Sequence, residues 1–270
     1  MGEMVAAFSA AALMEAIDAN LVAKSLSFPR VFKGEIHGPN PTWFITGAAL
    51  PHYNGVARAT FDLQDVHAGI EAALAPFKAR KVPLTWWVGP STSPSNLGAH
   101  LQAHGFTHNR DMLGMAVDLA CLPEPDLSDP ALTFEQVADR GALADWYQVF
   151  LQGFPTSFDA AYLDALAVTS LGPDAPWIHY LARLDGRPVA VGSLFLSEGV
   201  AGFYNLTTLR EARGKGIGAW MTLKTFQQAV ALGIRIGTLQ TTYPNALRLY
   251  HRLGFEVYCK IGVYKYVPGT

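Results

Sequence analysis

Residues Arg213 to Gly218 read Arg-Gly-Lys-Gly-Ile-Gly, three glycines and two cations in six positions. An apolar, strand-like run precedes them and a helix-like run follows. Glycine loses more conformational freedom on folding than other residues, so such a cluster implies that the backbone itself closely approaches a ligand. A strand that turns into a helix through glycines offers free N–H groups and the positive end of the helix dipole, a site for an anion. From Arg213 to Phe255 there are six cations (Arg213, Lys215, Lys224, Arg235, Arg248, Arg252) and no carboxylate, which suits concentrated negative charge such as a pyrophosphate. A Walker phosphate loop needs Gly-Lys-Ser/Thr after four spaced residues, and that string is absent. Gly214, Gly216 and Ala219 satisfy G-x-G-x-x-A, but the ribose-binding acid expected about 20 residues on is missing.

Several elements must hold this turn in place. The strings Trp177–Leu184, Pro188–Ser197 and Val200–Leu209 alternate and are rich in β-branched and aromatic residues, so they read as strands, with Asp185–Pro188 as a hairpin turn. Two helices are expected before them, at Gly141–Gln152 and Phe158–Ser170. After the turn come a helix from Gly216 to about Ala231, a strand from Ile234, a helix at Asn245–Leu253 and a strand from Glu256.

The composition suits a folded α/β protein. Half of the 270 residues are hydrophobic and 16% are charged, enough apolar material for a sizeable core. The net charge of −2 and the lack of long single-sign runs exclude nonspecific binding to nucleic acid. Cys121 and Cys259 lack metal-ligand spacing, so no metal and a reducing compartment are expected. The apolar N-terminal run carries Glu3, Glu15 and Asp18 and reads as an amphipathic helix rather than a signal peptide or membrane span. A cytoplasmic monomer or homodimer is expected.

The chain also repeats itself. Cys121 to Leu132 holds three prolines, two aspartates and a glutamate and reads as a linker. A shift of 149 positions superposes the halves without gaps: Ala11 falls on Ala160, Glu15 on Asp164, Asn96 on Asn245, Gly105 on Gly254 and Phe106 on Phe255. Residues 1–120 and 132–270 are therefore expected to be two copies joined by 121–131, with the first lacking the opening strand and helix of the second.

The R-x-x-G-x-G spacing of Arg213 to Gly218, followed by Tyr-His-Arg-Leu-Gly-Phe at 250–255, resembles the GNAT (Gcn5-related N-acetyltransferase) superfamily over roughly residues 132–270. The resemblance implies two α/β domains, each a mixed, mostly antiparallel twisted sheet flanked by helices. It implies acetyl-CoA as cosubstrate, with the pyrophosphate on the turn (Arg213, Gly214, Lys215, Gly216, Ile217, Gly218, Ala219) and the pantetheine arm along the backbone of Leu206, Thr207 and Thr208. By the same resemblance Tyr250 is the general acid for the leaving thiolate. The family's glutamate base has no counterpart; Asn205 or Gln240 holding a water, His179 or Glu198 are the substitutes considered. Where the family often has an asparagine contacting CoA stands Tyr243, and Asn245 lies two residues later, as a helix cap. Phe154 and Phe158 are expected to line the pocket of a small-molecule or peptide amine acceptor. The first copy has Gln64, Asp65, Val66 and His67 where the second has Arg213 to Gly216, and Leu101 where the second has Tyr250, so it reads as a degenerate copy that excludes CoA. The expected function is acetyl transfer from acetyl-CoA to a primary amine. The alternative is a non-catalytic acyl-CoA sensor, motivated by the missing base.

Overall fold

The structure is a computed structural model that describes residues 8–154, 160–172 and 175–269. The chain forms two compact units: Met1–Gly114 with Gln240–Thr242 and Val257–Thr270, and Met115–Leu239 with Tyr243–Glu256.

The first unit opens with α1 (Ala10–Ser25), capped by Ser9, whose hydroxyl accepts from the Ala12 N–H at 3.2 Å. Then come α2 (Ser27–Val31), β1 (Glu35–His37), β2 (Thr42–Ile45), β3 (Gly55–Ala57), α3 (Val66–Arg80), β4 (Leu84–Val88), α4 (Leu97–Ala103) and β5 (Thr107–Asp118). Its strands lie in the order β1-β2-β3-β4-β11-β5, where β11 is Glu256–Tyr266. Ile70, Leu74 and Phe77 recur at helical spacing on α3 and close over Leu84 and Trp86 of β4, all fully buried.

The second unit takes the end of β5 and adds β6 (Leu132–Gln136), α5 (Arg140–Gly153), α6 (Ala160–Ser170), β7 (Trp177–Leu184), β8 (Arg187–Ser197), β9 (Val200–Thr208), α7 (Ile217–Ala231), β10 (Ile236–Thr241) and α8 (Pro244–Arg252). Its strands run β5-β10-β9-β8-β7-β6, antiparallel from β6 to β9 and parallel between β9 and β10. The β7–β8 hairpin turns through Asp185 and Gly186, both at positive φ as such a turn requires. Residues Val189 to Phe195 of β8 are buried without alternation, because helices cover both faces. Ile217, Trp220, Met221 and Phe226 of α7 join the main core with Phe203 and Leu239. On the α5 side Trp146 stacks on His179, with ring centroids 4.3 Å apart.

The 149-residue register is visible in the pairing. In the first unit β1/β2 and β2/β3 are antiparallel and β3/β4 is parallel; β7/β8, β8/β9 and β9/β10 repeat that sequence of directions. The units differ from the expected linear division, however. The change of unit falls inside β5, not at 121–131, and Val257–Thr270 count with the first unit. The reason is strand addition: β11 pairs antiparallel with β4, from Gly262↔Val88 to Tyr266↔Leu84. Met115, Val117 and Leu119 in turn belong to the second unit's core. Segment 121–131 is bound to that unit as well, with Leu122 and Leu127 against its core and Glu124 accepting from Gln227 at 2.8 Å. No described helix is long and apolar enough to cross a membrane.

Gly237 lies where β10 meets the end of β5. A Cβ there would sit 2.5 Å from Leu119 Cδ2 and 2.9 Å from Phe226 Cε1. Gly237→Ala is expected to lower the unfolding free energy by about 1–3 kcal/mol. Urea unfolding checks it, and an unchanged midpoint would show that this junction has room to spare.

Candidate functional site

The site begins with an irregularity in β9. Ser193 pairs with Tyr204 but Val191 pairs with Thr207, so β9 carries an extra residue opposite β8. Such a bulge bends the strand and re-aims side chains. Asn205 takes the strain at φ 62, a left-handed conformation that asparagine tolerates better than most residues. Pairing with β10 stops at Phe203↔Leu239, just before the bulge. From Tyr204 to Thr208 that edge of β9 has no β10 partner, which opens a slot along the backbone of Leu206 and Thr207. Thr207 is buried, and its Oγ1 has no partner among the described residues. The end of α5 approaches this point so closely that a Cβ on Gly153 would meet Thr207 Oγ1. Phe154 follows, half-buried, its ring stacked on Phe150 at 4.9 Å. Phe158 lies outside the described residues.

Past the slot the chain makes a short 3-10 turn at Arg210–Ala212 and enters the glycine turn. Gly214 and Gly216 sit at φ 77 and 81, which aims successive N–H groups to one side. Gly216 is the N-cap of α7 and supplies no side-chain cap. Among the described residues the amides of Gly214 to Ala219 donate no hydrogen bond, and a Cβ on Gly214 would meet nothing within 4 Å. The result is an exposed cradle of unpaired donors at a helix N-terminus, fit for a phosphate or pyrophosphate. Lys215 stands exposed on it. Arg213 instead turns back, its Nε donating to the Thr208 carbonyl at 2.9 Å. That bond ties the end of the slot to the turn and uses part of the acceptor capacity assigned to pantetheine at Thr208. An open cleft of about 650 Å³ adjoins Arg213, between α5 (Asp145, Gln148, Gln152) and Arg210–Glu211.

Tyr250 is buried on α8 with its ring edge-on to Phe255. Its hydroxyl has no hydrogen-bond partner among the described residues. Burial raises its pKa well above that of a free phenol, so the proton stays on the oxygen. Leu249, one residue before it, lies against Gly218 at the first turn of α7.

The substitutes for a base fare differently. Glu198 is exposed at the tip of the β8–β9 hairpin at φ 48. His179 is 1% exposed and its Nδ1 lies 2.7 Å from Ser193 Oγ; desolvation lowers its pKa to about 3, so it is neutral near pH 7. Gln240 belongs to the first unit, its Nε2 buried and without a partner. Asn245 does not cap its helix: Tyr243 holds that position, and Asn245 Oδ1 accepts from Arg248 at 2.7 Å. Ser193 and Gly153 escaped the sequence reading, since a serine in a strand and a glycine after a helix carry no signal of their own. The bulge did leave one, an asparagine inside a strand otherwise rich in β-formers.

The equivalent region of the first unit is closed. Thr60 bridges Ser93 in parallel, the Ser93 N–H donates to Ala59 O, and the Phe61 N–H donates to Ser93 O, each at 3.0 Å. These bonds suture β3 to the chain beyond β4 where β9 and β10 part. The Phe61 ring lies over Gly69 on the first turn of α3, 2.5 Å from where a Cβ would stand. Arg58, at the register position of Thr207, reaches buried Asp18 at 3.3 Å, and Ser91 donates to the same carboxylate at 2.6 Å. Leu101, at the position of Tyr250, is fully buried. Among the described residues no group of three or more His, Cys, Asp or Glu is arranged to hold a metal ion.

The Acetyltransferase (GNAT) family matches residues 142–255, the whole of the slot, turn and Tyr250. A GCN5-related N-acetyltransferase from Kribbella flavida has the same fold, with a TM-score of 0.73 at 21% identity over 92% of this chain and 95% of its own. A GCN5-related N-acetyltransferase from Sphaerobacter thermophilus gives a TM-score of 0.62 at 20% identity, over 80% and 74% of the two chains. A tandem GNAT protein from the clavulanic acid biosynthesis pathway gives 0.60 at 14% identity, over 88% and 79%. No curated protein matches the chain by sequence.

Buried, neutral His179 has a consequence for acid stability. Its folded pKa, about 3, lies below the ordinary 6.5, so between those values the unfolded chain binds more protons. The stability it supports is present above pH 6.5 and is lost as pH falls towards 3. His52, lowered to about 4 chiefly by burial, adds to the same slope. His179→Asn should flatten the pH dependence of unfolding in this window by up to about 1.4 kcal/mol per pH unit. Denaturant titrations from pH 4 to 7 check this, and an unchanged slope would mean the imidazole is not neutral at pH 5.

Proposed function

We propose that this chain, whose residues 142–255 match the Acetyltransferase (GNAT) family, is an acyltransferase that moves an acetyl group from acetyl-CoA to a primary amine, at one site in the second unit. The observation that carries the reading is the coincidence of three features within the second unit: the unpaired edge of β9, the unpaired amides of Gly214 to Ala219, and the protonated hydroxyl of Tyr250.

Acetyl-CoA supplies an acetyl group activated as a thioester. The amides of Gly214 to Ala219 hold the pyrophosphate, with Lys215 adding charge and Arg213 bracing the turn against Thr208. Leu206 and Thr207 offer backbone groups to the pantetheine arm, and Thr207 Oγ1 offers a buried hydroxyl. Tyr250 donates to the sulfur as the C–S bond breaks; the proton lost by the amine as the C–N bond forms balances the thiol product. The amine enters neutral, since no carboxylate lies on β9 or β10. It arrives from the α5 side, past Phe154 and the segment containing Phe158. The first unit is a degenerate copy: Phe61 and Asp65 occupy the anion's place and the suture at Ser93 leaves no slot.

Calorimetry should find one acetyl-CoA per chain; two equivalent sites would contradict the closed first unit. Tyr250→Phe is expected to lower kcat about 10²–10⁴-fold with little change in the KM for acetyl-CoA. Turnover of that variant near the wild-type rate, with chemistry limiting, would leave Tyr250 as a packing residue. Lys215→Ala should weaken acetyl-CoA binding by about 1–2 kcal/mol, and less at high salt. Gly214→Val should weaken it more, because its side chain fills the cradle and strains a positive-φ position. Acetyl-CoA binding without thiol release on any amine would instead indicate a sensor.

A further inference from the structure

A chain of polar side chains crosses three strands beneath α5 and ends at the bulge. His179 on β7 and Ser193 on β8 are a directly opposed pair, and Ser193 is opposed in turn by Tyr204, next to Asn205. His179 Nδ1 lies 2.7 Å from Ser193 Oγ, and Asn205 Nδ2 donates to the same oxygen at 3.3 Å. His179 and Ser193 are buried completely or nearly so, while Asn205 is half-buried. In a regular strand the side chain after Tyr204 would point to the opposite face. The extra residue and the positive φ bring Asn205 back to the face of Ser193. Burying this polar chain costs free energy, because Nε2 of His179 is buried without a partner, so the chain calls for an explanation.

Resting on the acetyl-transfer reading, we infer that His179, acting through Ser193, fixes the side-chain amide of Asn205 so that its Oδ1 faces the slot and accepts a hydrogen bond from the N–H of the incoming amine. Donor counting sets the direction. Ser193 has one hydroxyl proton. If it goes to His179 Nδ1, the serine oxygen is left as acceptor for Asn205 Nδ2, and the only orphan is the Nε2–H of the histidine. If instead Nδ1 carried the proton, both the serine O–H and the Nε2 lone pair would lack partners. Burial supports the neutral ring this requires, since nothing charged faces it to stabilise an imidazolium. Trp146 locks the ring from the side, stacked at 4.3 Å and held by its own Nε1 bond to the Gly192 carbonyl at 3.4 Å. With Nδ2 committed to Ser193, the free polar atom of Asn205 is Oδ1, which accepts no hydrogen bond among the described residues. Asn205 itself lies in the stretch of β9 that has no β10 partner. His179 and Ser193 are thus positioning residues, and Asn205 is the group that touches the acceptor. The arrangement also explains why a histidine sits here without serving as base: its lone pair is already engaged.

Two measurements on the full chain decide this. The first needs no substrate. Nitrogen-15 NMR of the His179 ring at pH 7 should show the Nε2–H tautomer, and Ser193→Ala should shift the Asn205 side-chain NH₂ signals. An Nδ1–H tautomer, or unshifted Asn205 signals, overturns the inference. The second uses acetyl-CoA with a panel of butylamine, phenethylamine and glycinamide. With the best of these, Ser193→Ala and His179→Leu should each raise the amine KM about tenfold, as loss of one oriented hydrogen bond does. The Kd for acetyl-CoA by calorimetry should stay within about twofold. His179→Asn, which puts Oδ1 where Nδ1 was, should keep the amine KM within about threefold of wild type. An unchanged amine KM in Ser193→Ala, or an equal loss of acetyl-CoA affinity, overturns the inference and leaves the three residues as strand packing. If wild type turns over none of the amines, the acetyl-transfer reading fails for this panel, and the tautomer result alone decides the polar chain.

Discussion

Asn205 sits at φ 62 in the middle of β9, where a strand would ordinarily run straight on beside its neighbour. Two strands in register share every backbone donor and acceptor along their common edge, and a strand so engaged has nothing left for a ligand. One extra residue in β9 breaks that sharing after Phe203 and leaves Tyr204 to Thr208 without a β10 partner. The rest of the second unit follows from this break. The glycine turn can face an anion because β9 has diverged before reaching it, and Arg213 can reach back to Thr208 because that strand end is not buried in the sheet. The constraint is local and costs about 1–2 kcal/mol for a non-glycine residue in the left-handed region. The pairing of β8 with β9 on both sides of the bulge holds it in place.

The first unit shows what the same architecture becomes when the constraint is removed. Its strand directions repeat those of the second, yet the backbone beyond β3 is bonded to Ser93 and an aromatic ring covers the helix start. Charge and shape act together there: an acid stands at the turn, a buried Arg58–Asp18 contact fills the region matching Thr207, and leucine replaces the hydroxyl-bearing tyrosine. A sheet of this kind keeps its backbone groups paired beyond β3, where the second unit leaves them open. What it retains is a core built on Trp86, Phe77 and Leu97.

Much of this was legible in the sequence because it rests on residue types with few uses. Glycines alternating with cations ahead of an amphipathic run fix the turn and helix, and the tyrosine of Tyr-His-Arg-Leu-Gly-Phe marks α8. The 149-residue shift implied two similar halves, and the strand directions, which only the structure shows, repeat between the units. Other parts were not legible for equally physical reasons. A bulge is a one-residue slip in pairing, and no composition encodes it beyond one asparagine. Ser193 matters only because His179 and Asn205 stand opposite it, which depends on register. Phe61 blocks the first copy by lying over Gly69, a contact that simple comparison of aligned loops attributes to Asp65 instead. The pairing of β11 with β4 joins residues far apart in sequence, and only the fold reveals it.

That last pairing bears on how the molecule is made. A chain emerging from the ribosome in order completes residues 1–114 long before residues 257–266. At about 5–20 residues per second the interval between Gly114 and Thr270 is roughly 8–30 s. Throughout it, β4, whose sequence Leu-Thr-Trp-Trp-Val is among the most apolar in the unit, presents an open edge. An apolar edge strand is the kind of surface that recruits other chains. Within a polysome, neighbouring nascent copies expose this same edge at the same time, until each has its own β11 to cover it.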